Sequence, residues 1–149
     1  PHLASPARGG GTSSPPVKRG ELEGGEKGNP MKILIIILTS IIAIEHLGFL
    51  YLETFLWTKP LGRKVFGNSL EDAEKTKTLA ANQGLYNGFL SAGLIWGLLH
   101  PNPAFGTQIV FFFLACIIVA GIYGGITAKR TILYIQALPA LITAIFMLI

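Results

Sequence analysis

Four long apolar blocks, separated by shorter polar stretches, follow one another along most of the chain. The blocks cover residues 33–57, 79–99, 105–128 and 132–149. An α-helix needs about 20 predominantly apolar residues to cross the hydrocarbon core of a bilayer, and the blocks come near to or exceed that length. Their apolar positions are continuous and do not alternate with polar ones, as those of a half-buried strand would. The pattern therefore predicts an all-α protein, folded as a four-helix transmembrane bundle.

The ends of the blocks carry residues that stop or start helices. Pro60 and Gly62 follow the first block and are expected to end its helix. Ser69 with Asp72 three residues later resembles a capping box, so the second helix is expected to begin before its apolar block does. Pro139 lies inside the last block and is expected to kink it.

The segment before the first block has a different composition. Residues 1–30 are rich in Gly, Pro, Ser and charged side chains, and they lack the apolar core of a signal peptide. Such a segment cannot bury enough apolar surface to offset the chain entropy lost on folding. We expect residues 1–30 to be a disordered tail or a non-native leader, since Met31 and Lys32 resemble a natural start. Residues 31–149 then form the membrane domain.

Composition supports a membrane protein and argues against two other classes. The chain is 50% hydrophobic but only 13% charged, whereas soluble domains carry about 25% charged residues. The net charge of +4 does not indicate a nucleic-acid partner, because most basic residues lie at the ends of apolar blocks, where membrane topology accounts for them. The lipid bilayer is the expected partner. The single cysteine, Cys116, is expected to be a packing residue and not a nucleophile.

The charges of the loops predict the orientation. Residues 58–78 and 129–131 concentrate Lys and Arg, whereas the turn between the second and third blocks has none. Cytoplasmic loops are enriched in Lys and Arg. Both basic loops are therefore expected in the cytoplasm and both termini outside, in a multi-pass protein of the plasma (inner) membrane. The basic residues of the tail oppose this assignment.

The first apolar block contains three ionisable side chains. Glu45 lies at its middle, His46 follows directly, and Glu53 comes seven residues after His46. Seven residues correspond to almost two full turns, so His46 and Glu53 share a helix face, and Glu45 lies on the same half of the helix. An ionisable residue at this depth costs about 2.5–3.5 kcal/mol on insertion scales, and such residues therefore face the interior of a bundle.

The second block contributes amides. Asn82, Gln83 and Asn87 stand in its first turns. If the second helix runs antiparallel to the first, Gln83 reaches a depth similar to that of Glu53, and Asn87 lies one turn deeper, toward His46. The amides and the carboxylates are then expected to meet.

Small residues are spaced for close helix packing. Gly84 and Gly88 form one G-x-x-x-G pair, and Gly121 and Gly125 form a second. This spacing lets two helix backbones approach closely in a membrane. We expect all four glycines to lie at helix–helix contacts.

The polar cluster allows two interpretations. The amides and carboxyls could simply hold the helices together, at about 0.6–2 kcal/mol per contact. Alternatively they form a proton-titrating or ligand-binding pocket, because three ionisable groups in one span exceed what helix association requires. No metal-spaced Cys/His cluster and no phosphate loop occurs in the sequence. No metal and no cofactor are expected.

Two motifs resemble a known family. Residues 51–67, YLETFLWTKPLGRKVFG, and 79–97, LAANQGLYNGFLSAGLIWG, resemble a family of small bacterial integral membrane proteins that is catalogued only as a domain of unknown function. The resemblance covers residues 31–149 and implies a four-helix membrane protein. It brings no established activity, so the catalytic residues, if there are any, are unknown. A looser similarity to four-helix proteins of the DoxX type, some tied to quinone oxidoreductases, is an analogy of fold alone.

Two functions remain open from the sequence. The first is a transporter-like or partner- or lipid-binding bundle whose polar interior is lined by Glu45, His46, Glu53, Asn82, Gln83 and Asn87. Four spans are few for a transporter, so this hypothesis implies association into a homo-oligomer. The second is a membrane-embedded enzyme that acts on a lipid or a quinone, with His46 and a glutamate as acid and base.

Overall fold

The computed structural model describes residues 29–149. Over this range the chain is all-α, with helices joined by short connections and no strand. The helices are α1 (Pro30–Phe55), α2 (Pro60–Phe66), α3 (Leu70–Leu99), α4 (Pro103–Thr127) and α5 (Arg130–Leu148). The tail expected over residues 1–30 lies outside the described residues, except for its last two positions.

Three of the helices begin with a residue whose side-chain oxygen accepts a hydrogen bond from a backbone N–H of the first turn. Asn29 accepts a hydrogen bond from the backbone N–H of Met31 at the start of α1, and Asn102 accepts from the first backbone N–H groups of α4. A proline follows each of these caps, where its fixed φ suits the first helical turn. Ser69 caps α3 and accepts from the N–H of Asp72 at 3.0 Å. The predicted capping residue and the early start of this helix are thus confirmed.

The stretch 58–78, predicted as a loop, is mostly helical. It contains α2 and the first turns of α3. Pro60 occupies the first turn of α2, and Gly67 ends that helix with a left-handed φ of 75°, a conformation that glycine adopts at little cost. Most side chains of α2 and of the first turns of α3 are exposed, so these helical segments are polar and do not form an apolar block.

Three helices, α1, α4 and α5, are long and apolar enough to cross a membrane. They correspond to three of the four predicted spans. The helix α3 is longer, at 30 residues, but it does not reach the same hydropathy. Its amides and glycines lower its apolar character, so its position across the membrane stays a prediction.

The four long helices pack in a closed order. Helix α1 packs along α3, α3 also packs on α4, α4 packs on α5, and α5 returns to α1. Each long helix therefore contacts two others. The core between them is small and consists of Ile42, Ala43, Leu94, Val110, Leu114, Ile117, Ala140 and Ala144.

Glycines mark the places where helix backbones come closest. A Cβ added to Gly106 of α4 would lie 2.5 Å from the carbonyl oxygen of Gly97 in α3. A Cβ on Gly121 would lie 2.8 Å from the backbone nitrogen of Ala137 in α5. At both places only glycine leaves room for the neighbouring backbone.

The other glycines of the two G-x-x-x-G pairs lie against side chains. A Cβ on Gly84 would lie 2.6 Å from the hydroxyl of Thr54, and one on Gly88 would lie 3.2 Å from the side chain of Leu50. A Cβ on Gly125 would lie 2.9 Å from the Cβ of Leu133. The first pair therefore lies at the α1–α3 contact and the second at the α4–α5 contact.

Helix α5 contains a π-helical turn over Leu133–Ala137, just before Pro139. The N–H of Leu138 donates to the carbonyl of Leu133, five residues back. Proline has no N–H to donate, and its ring crowds the carbonyl four residues earlier. The wider turn accommodates both effects, and the kink expected at Pro139 stays a prediction.

Apart from α2 and the charged first turns of α3, the outer surface of the helices is largely apolar. Large aliphatic and aromatic side chains point outward along all four long helices, and Val119 and Ile126 are 68% and 80% exposed. Soluble monomers rarely expose continuous apolar patches of more than a few hundred Å². An apolar outer surface together with buried polar side chains, such as His46, Glu53 and Ser91, is what a lipid environment favours.

Candidate functional site

A cavity of about 710 Å³ lies where α1 and α4 end and α5 begins. All five helices and the three connections after α1, α2 and α4 contribute to its wall. Its polar lining residues are Glu53, Asn68, Gln83, Asn87, Thr127, Lys129, Thr131 and Gln136, and its aromatic lining residues are Phe49, Trp57, Phe66, Tyr86 and Tyr123. The cavity therefore combines one carboxylate, several amides and five aromatic rings.

Glu53 is the buried acid of this cavity. It lies in the last turn of α1 and is only 8% exposed. The amide nitrogen of Asn87 donates to Glu53 Oε2 at 2.8 Å, and the same nitrogen lies 3.3 Å from the backbone carbonyl oxygen of Gln83. The structure thus brings together Glu53 and Asn87 from two helices, whereas the register of the apolar blocks had placed Gln83 at the depth of Glu53 and Asn87 one turn deeper, toward His46.

The remaining predicted cluster residues are placed differently. Gln83 lines the cavity although it is otherwise exposed. Asn82 is exposed and is not part of the wall, because one residue along a helix turns the side chain by about 100°. Glu45 is half-buried, also outside the wall, and its side chain makes no hydrogen bond within residues 29–149.

His46 is fully buried and both of its ring nitrogens are occupied. Nδ1 lies 2.8 Å from the carbonyl oxygen of Ile42, which can only accept, so Nδ1 carries the proton. Nε2 lies 3.4 Å from the amide nitrogen of Gln136, which can only donate. This arrangement fits a neutral imidazole. His46 reaches the cavity only through Gln136, which forms part of its wall.

Gln136 is a site residue that the sequence interpretation missed. It lies in the π-helical turn of α5 and connects His46 to the cavity. The sequence does indicate Gln136, because it is an amide inside an apolar block, which is the feature that made Asn87 a candidate. The interpretation of this block considered only the kink expected at Pro139, three residues after Gln136.

The connection after α1 and helix α2 cover one end of the cavity. The rings of Trp57 and Phe66 contact each other at an interplanar angle of 47°, with centroids 4.7 Å apart, and the indole N–H of Trp57 donates to the hydroxyl of Thr76 at 3.0 Å. Gly62 lies directly against the carbonyl of Leu56, where no side chain would fit. These contacts hold α2 over the end of the bundle.

No ion pair neutralises Glu53 within the described part of the chain. The two salt bridges there, Lys75–Glu71 and Lys77–Glu74, lie on the exposed first turns of α3. Lys129 is the cation in the cavity wall, and it is exposed in the connection between α4 and α5. Among residues 29–149 no three His, Cys, Asp or Glu side chains are grouped to hold a metal.

Comparison with known proteins places the chain in a family. No solved structure matches it. A protein of Lactococcus lactis subsp. lactis, named uncharacterized protein YpaA, is 36% identical over 121 residues, which is 78% of this chain and 100% of that protein. The family model described as "protein of unknown function (DUF1304)" matches residues 40–148, a range that includes the whole cavity wall. The family suggested by the two motifs is thus confirmed, and the chain belongs to the DUF1304 family of proteins of unknown function.

Proposed function

We propose that this protein is a multi-pass membrane protein whose four long helices form a transmembrane bundle, and that the bundle binds a small amphipathic molecule in the cavity described above. The observation that carries the proposal is a cavity of about 710 Å³ with a buried carboxylate in its wall. Ligand pockets usually measure about 300–1,000 Å³ and combine apolar walls with a few placed polar groups.

The packing of α3 supports its place in the membrane despite its lower hydropathy. The amide of Asn87 bonds to Glu53, and the hydroxyl of Ser91 donates to the carbonyl of Ala43 at 2.8 Å. Both contacts run to α1, so these polar groups need no water. A polar side chain in a membrane helix is tolerated when a neighbouring helix provides its partner.

The geometry favours binding over catalysis. An enzyme that acts on a lipid or quinone through His46 and a glutamate would need the imidazole within reach of its substrate. His46 is fully buried, and both its nitrogens are engaged by Ile42 and Gln136. A transport function would be a variant of binding, and with four spans it would require copies of the chain to associate.

Filling the cavity tests the binding function. Ala120 lines the cavity, whereas its neighbour Val119 points away from it and is 68% exposed. Ala120→Trp should occupy the space, and Val119→Trp places the same side chain on the outer surface. The proteins would be purified from membranes in mild detergent, and small molecules released by denaturation would be identified by mass spectrometry.

The expected result is a molecule that copurifies with the wild type and with Val119→Trp but is lost from Ala120→Trp. Both variants should elute as folded protein in size-exclusion chromatography. If the wild type and both variants release the same molecules in equal amounts, the cavity is not the binding site.

A further inference from the structure

We infer that the cavity selects an organic cation, an amine or quaternary ammonium compound with an apolar substituent. This inference rests on the binding function proposed above and adds the charge of the ligand. It follows from the charge of the wall, from its aromatic rings and from the ends of two helices.

The first argument is the charge of Glu53. This carboxylate is 8% exposed, and its hydrogen-bond partner is a neutral amide, that of Asn87. Neither salt bridge of the described chain includes it. A buried carboxylate is costly unless an opposite charge pairs with it. A cationic ligand supplies that charge at the place where the protein does not.

The second argument is the aromatic lining. Phe49, Trp57, Phe66, Tyr86 and Tyr123 all border the same cavity as Glu53. The faces of aromatic rings attract cations, and Trp does so most strongly. Quaternary ammonium groups are recognised by aromatic walls of this kind, in which the rings also hold the apolar part of the ligand. A neutral ligand would gain the apolar contacts alone.

The third argument concerns the helix ends. Helices α1 and α4 both end at the cavity, at Phe55 and Thr127, and neither has a basic residue in its last turn. The carboxyl end of a helix carries a partial negative charge that favours cations. Helix α5 begins at the same cavity, and its amino end carries the opposite partial charge, so the two carboxyl ends against one amino end leave a net negative contribution beside Glu53.

Lys129 does not cancel this potential. It belongs to the wall but is exposed, and it lies in the connection that follows α4. Its ammonium group is therefore hydrated, while Glu53 is buried. An anionic ligand would instead be attracted by Lys129 and repelled by Glu53. Cationic and anionic probes should therefore differ in how tightly they bind.

The natural fluorescence of the protein permits a direct test. The chain has two tryptophans, and only Trp57 lies in the cavity wall. In the full chain carrying Trp96→Phe, the emission of Trp57 would be measured in detergent during titration with benzyltrimethylammonium. The matched probes are neopentylbenzene, which has the same shape without the charge, and benzylphosphonate, which is an anion.

The cation should bind about tenfold more tightly than the neutral probe, as expected for a cation that meets a carboxylate and aromatic faces away from water. Glu53→Gln should remove this preference, because it deletes the charge and keeps an acceptor for Asn87. Glu45→Gln is the matched control on the same helix, and since Glu45 is not part of the wall, it should keep the preference.

Three results would overturn the inference. They are equal binding of the cation and the neutral probe, tighter binding of benzylphosphonate, and no change of Trp57 emission with any probe. Equal binding would leave the general binding function intact. The copurified molecule lost from Ala120→Trp decides that function independently of the probes.

Discussion

At the scale of single residues, the contact between Glu53 and Asn87 joins α1 to α3. The donor is an amide and the acceptor is a carboxylate oxygen 2.8 Å away, in a part-buried position. A buried donor that loses its acceptor costs about 1–3 kcal/mol. The contact therefore matters for folding whether or not a ligand is bound.

Substitution of Glu53 can separate hydrogen bonding from charge. Glu53→Gln keeps a carbonyl acceptor for Asn87 and removes a charge that is costly to bury, so the free energy of unfolding should not fall. Glu53→Leu keeps the size but leaves the amide of Asn87 without that acceptor, and it should lower the free energy of unfolding by about 1–3 kcal/mol. Unfolding in mixed micelles with increasing sodium dodecyl sulfate would measure both. Equal stability of the two variants would mean that the contact does not stabilise the fold.

The sequence could indicate the polar half of the site but not its aromatic half. Glu53 and Asn87 were recognisable because polar groups in an apolar block need partners. Trp57 and Phe66 join the wall because α2 folds back over the end of α1. That return depends on the contact between Gly62 and Leu56, which no local pattern encodes.

At the scale of helices, the α3–α4 pair depends on a backbone contact that the G-x-x-x-G pattern did not reveal. Gly97 and Gly106 stand on different helices, so their relation is invisible in the spacing along the chain. A Cβ on Gly97 would lie 2.9 Å from the backbone nitrogen of Val110. The backbone of α4 cannot move aside to make room for that Cβ, whereas a flexible side chain at a similar contact could.

Two alanine substitutions compare these environments. Gly97→Ala should lower the free energy of unfolding by about 1–3 kcal/mol, the usual cost of overpacking. Gly88→Ala adds the same methyl group where it meets only the side chain of Leu50, at 3.2 Å, so it should be close to neutral. Both would be measured in the same micelle titration. A more damaging effect of Gly88→Ala would show that the closest helix approach is between α1 and α3.

At the scale of the whole molecule, the apolar blocks predicted the long helices, while the order of packing came from the structure. Helix α5 closes the arrangement by contacting α1, and residues so far apart in the chain carry no shared pattern. Helix α3 shows that counting apolar blocks is not enough to identify membrane-spanning helices. Its polar side chains lower that value, and their partners on α1 become visible only in three dimensions.

The positions of the basic residues predict the orientation of the molecule in the membrane. Helix α2 and the α4–α5 connection stand at the cavity end and carry Arg63, Lys64 and Lys129. At the opposite end, the turn at residues 100–102 has no Lys or Arg, and the first turn of α1 has Lys32 alone. Because Lys and Arg are retained on the cytoplasmic side, the cavity should open toward the cytoplasm.

Cysteine labelling of intact cells tests this orientation. The only natural cysteine, Cys116, would first be replaced by alanine, and cysteines would be introduced singly as Lys64→Cys and Pro101→Cys, both at exposed positions. A maleimide that cannot cross the membrane should label position 101 on intact cells and position 64 only after the membrane is opened. Labelling of position 64 but not of position 101 on intact cells would show that the orientation is the reverse of the predicted one. The cavity would then open toward the outside of the cell.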